Sequence, residues 1–256
     1  MHRSDGEAIE TGLLAEALAS AARIAVFTGA GISTESGIPD FRGPSGLWNS
    51  ARPVTYQDFI ASEEARIESW ERNVRLHDLL SRCVPNRGHR AVTALVERGR
   101  ADNVITQNID GLHQAAGISD DRVIEIHGTS RKASCLDCGE PYELAGLLAR
   151  FASTRRAPRC DDCDGLIKTA TISFGQTMPA PPMQQAHAAI EAADLVLVLG
   201  SSLRVYPAAN LPEQAARQGK RLVILNAEPT PLDRVASLVL HCSIGQALGD
   251  ALAIVE

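Results

Sequence analysis

What this chain of 256 residues lacks narrows its function before any motif is considered. It has no surplus of basic charge: 25 Lys and Arg face 31 Asp and Glu, giving a formal charge of −6 and a pI near 5.7. Phosphate backbones are held by concentrated Lys/Arg surfaces, so direct nucleic-acid binding is not expected. The densest basic cluster, Arg155, Arg156 and Arg159, reads as a solvated loop. No segment approaches the ~20 consecutive apolar residues of a membrane span, which argues against a membrane partner. The first twenty residues carry Asp5, Glu7, Glu10 and Glu16 and have neither the basic start nor the apolar core of a signal peptide. Internal repeats and low-complexity stretches are also absent. A mildly acidic enzyme suits a basic, lysine-bearing partner, although charge alone does not establish one.

What is present begins with cysteine. Cys135, Cys138, Cys160 and Cys163 form two C-x₂-C pairs separated by a spacer of 21 residues. One tight turn aims two thiolates at a single metal, and the second pair completes a tetrahedron with no position left for water or substrate. The pattern therefore predicts a structural Zn²⁺ and sends the search for chemistry elsewhere. Cys83 and Cys242 remain as expected buried thiols, and a reducing cytosol is the compartment this usage favours.

With 45% hydrophobic residues, the chain can bury one large core and a smaller appended one. Apolar runs at 23–28, 103–106, 123–127, 194–199, 221–226 and 237–241 read as strands. Stretches 7–22, 89–99, 182–193 and 208–218 have helical spacing or length. This alternation predicts an α/β fold with a mostly parallel, Rossmann-like sheet. Two stretches interrupt it. The expected division is a discontinuous nucleotide domain (1–43, 85–127 and 177–256), a helical insertion (44–84) and a zinc-binding small domain (128–176).

The first strand runs into Gly29-Ala30-Gly31-Ile32-Ser33, where a dinucleotide-binding sheet places its phosphate loop. Gly29 and Gly31 would let backbone N–H groups approach a pyrophosphate, and Ser33 could add a hydroxyl at the following helix start. An ordinary dehydrogenase fingerprint is nevertheless missing. Thr34 replaces the third glycine, and Thr106-Gln107-Asn108 stands where an acidic ribose ligand would end the second strand. The polar loop Ser36-Gly37-Ile38-Pro39-Asp40-Phe41-Arg42-Gly43 is also wrong for a simple crossover helix. Hydride transfer becomes the weaker reading, and a loop able to fold over a cofactor the stronger one.

The segment GAGISTESGIPDFRG from Gly29, TQNIDGLH from Thr106, His127-Gly128, the four cysteines and Gly200-Ser201-Ser202-Leu203 together resemble the sirtuins, NAD-dependent protein-lysine deacylases. The motifs keep the family's order from about Ala22 to Cys242. The resemblance implies NAD and Zn²⁺ as cofactors and acyl-lysine proteins as substrates. It makes His127 the base that activates a ribose hydroxyl, a task suited to an imidazole of unperturbed pKa near 6.5. It places Gln107 and the catalytic Asn108 at the nicotinamide ribose or its water, and Ile109 and Asp110 at the carboxamide. Asn108 and Asp110 could equally cap the helix that follows, and His113 is read as structural. Phe41 matches a mobile aromatic that shields the ribose, Arg42 a phosphate-side contact, and Pro39 and Asp40 belong to the same cofactor loop. Gly200, Ser201, Ser202, Asn226 and Cys242 match the adenosine side. Ile172, Phe174, Gly175 and Gln176, with Leu203 and Val205, match the loops that clamp a substrate peptide and wall the acyl-lysine tunnel.

The chain departs from the family in two places: Gln176 replaces the Glu usual after Phe-Gly, and Ser173 replaces a bulky residue. A Tyr-x-x-Arg pair, which holds acyl carboxylates in desuccinylating members, is missing from Ser69-Trp70-Glu71-Arg72-Asn73-Val74-Arg75. Trp70 reads as a packing residue, and acetyl or a longer apolar acyl group is the expected substrate. The alternatives are protein mono-ADP-ribosyltransfer on the same NAD contacts and a zinc-ribbon binding module with a regulatory nucleotide pocket.

Overall fold

A computed structural model describes residues 2–40 and 52–255. Along the chain its strands are β1 (Ile24–Thr28), β2 (Val104–Thr106), β3 (Val123–Glu125), β4 (Gly128–Cys135), β5 (Pro141–Glu143), β6 (Ile167–Thr171), β7 (Leu195–Leu199), β8 (Arg221–Leu225) and β9 (Leu238–Leu240). Its helices are α1 (His2–Ser20), α2 (Tyr56–Ala61), α3 (Glu63–Leu80), α4 (Arg87–Glu97), α5 (Leu112–Ala115), α6 (Leu144–Thr154), α7 (Ala180–Ala192), α8 (Asn210–Arg217) and α9 (Ile244–Ala251). All six strands anticipated from apolar runs form, each within two residues of its expected ends.

Those six make one sheet in the order β3-β2-β1-β7-β8-β9, and each neighbouring pair is parallel. β1 and β7 are buried along their whole length, as strands covered on both faces must be. Their side chains alternate between two cores. Ile24, Val26, Leu195, Leu197 and Leu199 pack with Leu14 and Leu18 of α1, Val92 and Leu95 of α4 and Leu248 of α9. Ala25, Phe27, Val196 and Val198 pack on the opposite side with Ile190 of α7 and Leu211 and Ala215 of α8. The order reverses between β1 and β7. In open α/β sheets this switch point, at the carboxyl ends of the strands, is where a ligand crevice forms.

α9 was not legible in the sequence. It is short and contains Gly245 and Gly249, poor helix formers. Close packing explains both: a Cβ at Gly245 would lie 2.3 Å from a Glu35 carboxylate oxygen, and one at Gly249 2.4 Å from Arg87 Nε.

The second sheet is small and antiparallel, in the order β5-β4-β6. Its core joins two stretches far apart in sequence: Trp70 of α3 packs with Leu144, Leu147, Leu148 and Phe151 of α6 and with Cys135, Cys160 and Ile167. The Trp70 and Phe151 ring centroids are 6.3 Å apart. The packing role read for Trp70 is therefore correct, and the helical insertion and the cysteine-bearing segment share one core. One expectation is corrected. Cys83 and Cys242 are half-buried, not buried, because one follows the exposed end of α3 and the other faces the cleft described below.

Replacing a fully buried Trp by Ala typically costs ~3–5 kcal/mol. Trp70→Ala should accordingly lower the urea midpoint and loosen the small module while leaving the large sheet's far-ultraviolet signal in place. An unchanged midpoint would contradict the shared core.

Candidate active site

The carboxyl ends of the sheet open into a cleft of about 710 Å³, within the range of small-molecule sites. Every strand of the large sheet delivers residues to its wall. Gly29, Ala30, Gly31 and Asp40 follow β1, Gln107, Asn108 and Ile109 follow β2, and His127 lies just beyond β3. Gly200, Ser201 and Ser202 follow β7, Asn226 follows β8, and Cys242 follows β9. Ile172, Phe174, Gly175, Gln176 and Val205 line the opposite side. Four anticipated residues are not on the wall: Ser33, Asp110 and Leu203 lie behind it, and Pro39 is half-buried beside it. Phe41 and Arg42 lie outside the described residues.

The glycines after β1 are required by a contact the sequence did not suggest. Gly31 N donates to Gly200 O at 2.8 Å, and a Cβ on Gly31 would sit 2.7 Å from the Gly200 Cα. Gly200 itself has φ +66°, the left-handed region. The loops after β1 and β7 thus meet backbone to backbone at the switch point. The chain then forms a 3₁₀ turn, Ala30–Ser36, not the α-helix of a dehydrogenase.

Behind the wall is a buried polar cluster. Ser33 Oγ donates to Asp110 Oδ2 at 2.7 Å, and Asn108 Nδ2 donates to Gly29 O and to Ser33 Oγ, both at 3.1 Å. Asp110 Oδ1 accepts from Leu112 N at 2.9 Å, a bond that closes the start of α5 as the capping reading expects. Burial pushes the Asp110 carboxyl above its ordinary pKa, and the bonds from Leu112 N and Ser33 oppose that shift.

His127 lines the cleft with a defined tautomer. Its Nδ1 is 3.0 Å from Gln107 O, a carbonyl that can only accept, so Nδ1 carries the proton and Nε2 keeps its lone pair. Burial lowers the His127 pKa, with the bond to Gln107 opposing. The imidazole is thus neutral at neutral pH. His127 O accepts from Ile172 N at 2.8 Å, which ties this residue to the wall across the cleft.

Glu35 and His241 also line the cleft and escaped sequence reading. Glu35 accepts from Gly245 N at 2.8 Å and from Ser243 Oγ at 3.1 Å, closing the start of α9. No sequence signal was available, because α9 itself was unread. His241 Nδ1 lies 2.9 Å from Asn226 O and its Nε2 lies 3.5 Å from Asp233 Oδ2, fixing the loop after β8.

Away from the cleft, the Sγ atoms of Cys135, Cys138, Cys160 and Cys163 lie within 4.8 Å of one another. A tetrahedron of Zn–S bonds of ~2.3 Å has edges of ~3.8 Å. Two of the edges here measure 3.5 and 3.6 Å, so the four sulfurs fit one zinc ion. Gly165 makes room for them, since a Cβ there would lie 2.8 Å from Cys135 Sγ and 3.0 Å from Cys163 Sγ. Tyr142 donates from its hydroxyl to Cys160 Sγ at 3.2 Å, an outer-shell contact of the kind that orients a ligand.

Comparison with known proteins places this arrangement. The model of the Sir2 family matches residues 29–207. The chain belongs to the Sir2 family. Among its sirtuin relatives is NAD-dependent protein deacetylase 1 of Bradyrhizobium diazoefficiens, 50% identical over 236 residues, covering 92% of each chain. The NAD-dependent protein deacetylase of Rhodopseudomonas palustris is 45% identical over 236 residues, covering 92% of this chain and 93% of its own. A Sir2 enzyme solved with a deacetylated p53 peptide and 3′-O-acetyl ADP-ribose superposes with a TM-score of 0.85 at 35% identity, covering 95% of this chain and 98% of the other. A Sir2 complex with p53 peptide and NAD⁺ gives 0.83 at 34% identity, covering 94% and 96%.

Loss of one thiolate from this sirtuin's cysteine cluster should remove zinc and stability together. Cys160→Ala should contain less than one equivalent of zinc by elemental analysis and melt at a lower temperature. Tyr142→Phe should keep the metal but release it ~10–100-fold more readily to a chelator. Full zinc retention by Cys160→Ala would refute the four-thiolate site.

Proposed function

We propose that this sirtuin is a NAD-dependent protein-lysine deacetylase that releases nicotinamide and O-acetyl-ADP-ribose. The observation that carries the reading is His127: a neutral imidazole, held through Nδ1, stands in a cleft whose glycine loops suit a dinucleotide and whose far wall is apolar. NAD supplies an electrophilic ribose carbon with nicotinamide as its leaving group.

The remaining steps belong to the chain's own groups. The tight turn Gly29 to Gly31, whose glycine amides are spent on Leu199 O and Gly200 O, and the loop Gly200 to Ser202 leave room for the phosphates and the adenosine side, with Asn226 and Cys242 beyond. Asn108, pinned by Gly29 O and Ser33, presents its amide to the nicotinamide ribose, beside Gln107. The Ile109 backbone on the wall orients the carboxamide, and Asp110, bonded to Ser33 and Leu112 N, fixes that turn from behind. Ile172, Phe174 and Val205 surround the aliphatic stem of the acyl-lysine, and Gly175 and Gln176 offer backbone to the substrate peptide. His127 Nε2 takes the proton from the ribose hydroxyl that receives the acyl group. Asp40 on the wall and Pro39 beside it stand on the cofactor side, and Ser33 and Leu203 support the wall from behind. Cysteines kept as thiolates suit a reducing cytoplasm. Among the described residues, no helix is long and apolar enough to cross a membrane.

The charges on the described part of the cleft wall extend the reading to the acyl group. Among the described residues the cleft wall carries no Lys or Arg but does carry Glu35, Asp40 and Glu228. Arg72 is paired with Glu68 on α3, and Arg75 is exposed. A succinyl carboxylate entering this cleft would lose hydration without a counter-ion.

Mass-resolved product analysis with acetyl-lysine peptide and NAD should show stoichiometric nicotinamide, free lysine and O-acetyl-ADP-ribose. His127→Ala should reduce kcat by ~10²–10⁴-fold while sparing much of the NAD affinity. Because the proton acceptor is the neutral ring and burial lowers its pKa, wild-type kcat/KM should be flat above pH ~6.5 and fall on the acid side. A loss on the alkaline side alone, or near-normal turnover by His127→Ala, would remove His127 from the base role. Acetyl-lysine should have the higher kcat/KM against succinyl-lysine in the same peptide; the reverse order would refute the acyl assignment and implicate Arg72 or Arg75.

A further inference from the structure

We infer that His113 is a positioning residue for Asn108: acting through Thr28 and Thr106, it fixes the turn that brings Asn108 to the cleft. The inference rests on the assignment of that turn to NAD under Proposed function.

The link is a continuous buried chain of hydrogen bonds. Thr28 and Thr106 are register partners at the ends of β1 and β2. The backbone ladder between these strands ends where Gln107 N donates to Thr28 O at 2.9 Å. Asn108 N is the next amide along, already outside the ladder, and it donates to Thr106 Oγ1 at 3.0 Å. Thr106 Oγ1 also accepts from Thr28 Oγ1 at 2.8 Å, and Thr28 Oγ1 lies 3.0 Å from His113 Nε2. Thr28 has given its only proton to Thr106, so the histidine must donate, and the ring is the Nε2–H tautomer. Its Nδ1 is then a bare acceptor, buried and without a hydrogen-bond partner among the described residues.

That orphan nitrogen is informative. His113 is 1% exposed, and an apolar ring would fill the same space without burying an unpaired acceptor. The Nε2–H donor is what an apolar residue could not supply. Burial also keeps the ring uncharged, with a pKa pushed down to about 3, and the neighbouring His89 ring, 5.1 Å away and edge-on, is likewise held neutral. The donor is therefore constant across the working pH range. Asn108 is consequently held at three points, its backbone N by Thr106 and its Nδ2 by Gly29 and Ser33, which leaves Oδ1 to be presented.

Two substitutions test this. His113→Phe removes the donor, whereas the amide of His113→Gln can place an N–H where Nε2 stood. In acetyl-lysine turnover normalised to folded enzyme, His113→Phe should lower kcat by ~10–100-fold and raise KM for NAD. KM for peptide and Kd for ADP-ribose should stay within about twofold, and His113→Gln should recover most of the loss. A lower Tm with unchanged kcat and KM, or a Gln variant no better than Phe, would overturn the inference. Long-range ¹⁵N histidine spectra of the wild type give a second, activity-independent reading. His113 should show a neutral Nε2–H ring from pH 8 to pH 5, and an Nδ1–H or cationic ring would overturn the relay. If the wild type failed to deacylate any acyl-lysine peptide, the deacetylase reading would fall, and these spectra with the variants' NAD affinity would decide the relay by themselves.

Discussion

The backbone contact between Gly31 and Gly200 is the constraint on which the rest of the site depends. Parallel strands β1 and β7 diverge into separate loops at the switch point, and each loop needs a path that does not fill the crevice. Without side chains at the crossing, the two loops stack directly, N–H to C=O, and the space in front of them stays open. The positions of Ser33, Asn108 and Ser201 follow from that closeness. Asn108 reaches Gly29 O because the loop is tight, and Gln107 Nε2 reaches Ser201 Oγ at 2.8 Å across the same junction. A bulkier pair would separate the strand ends and dissolve this cluster, whatever residues lined the cleft.

Much of the large domain was legible because its physics is local. Strands covered on both faces must be apolar along their length, so Leu195–Leu199 and Ile24–Thr28 stand out. The zinc cluster was legible for the same reason: metal geometry dictates the spacing of the cysteines. The reason for the glycines was only half legible. Sequence reasoning assigned Gly29 and Gly31 to an incoming phosphate, whereas the nearest atoms to their missing side chains belong to Gly200 and Ser201. α9 was invisible because its two glycines are chosen for contacts with Glu35 and Arg87, partners more than a hundred residues away. The shared core of Trp70 and Phe151 was hidden likewise. Each residue is an ordinary amphipathic-helix position, and only the fold reveals that they meet.

The buried histidines show how far side-chain chemistry depends on placement. His89, His113 and His127 all have lowered pKa values, in each case chiefly because burial disfavours the charged ring. They differ in what they can do. His127 alone lines the cleft, with a free lone pair, whereas the other two are enclosed behind the wall. Their local composition does not separate them, since each is a single histidine beside an apolar segment; His127 was set apart only by the family resemblance of the motif His127-Gly128.

The junction at His127 has a mechanical consequence. The chain leaves the large sheet after β3 and enters the small one at Gly128, which pairs with Thr171, while Ile172 N is bonded to His127 O. The crossing strands therefore meet at a pivot with His127 at its centre. β4 carries the chain ~23 Å from this point to Cys135, at ~3.3 Å per residue. Rotation of the small module about the pivot would sweep its zinc end through the longest arc and leave the imidazole almost stationary. The imidazole thus sits where any tilt of the small module would displace it least, like an axle beneath a swinging arm.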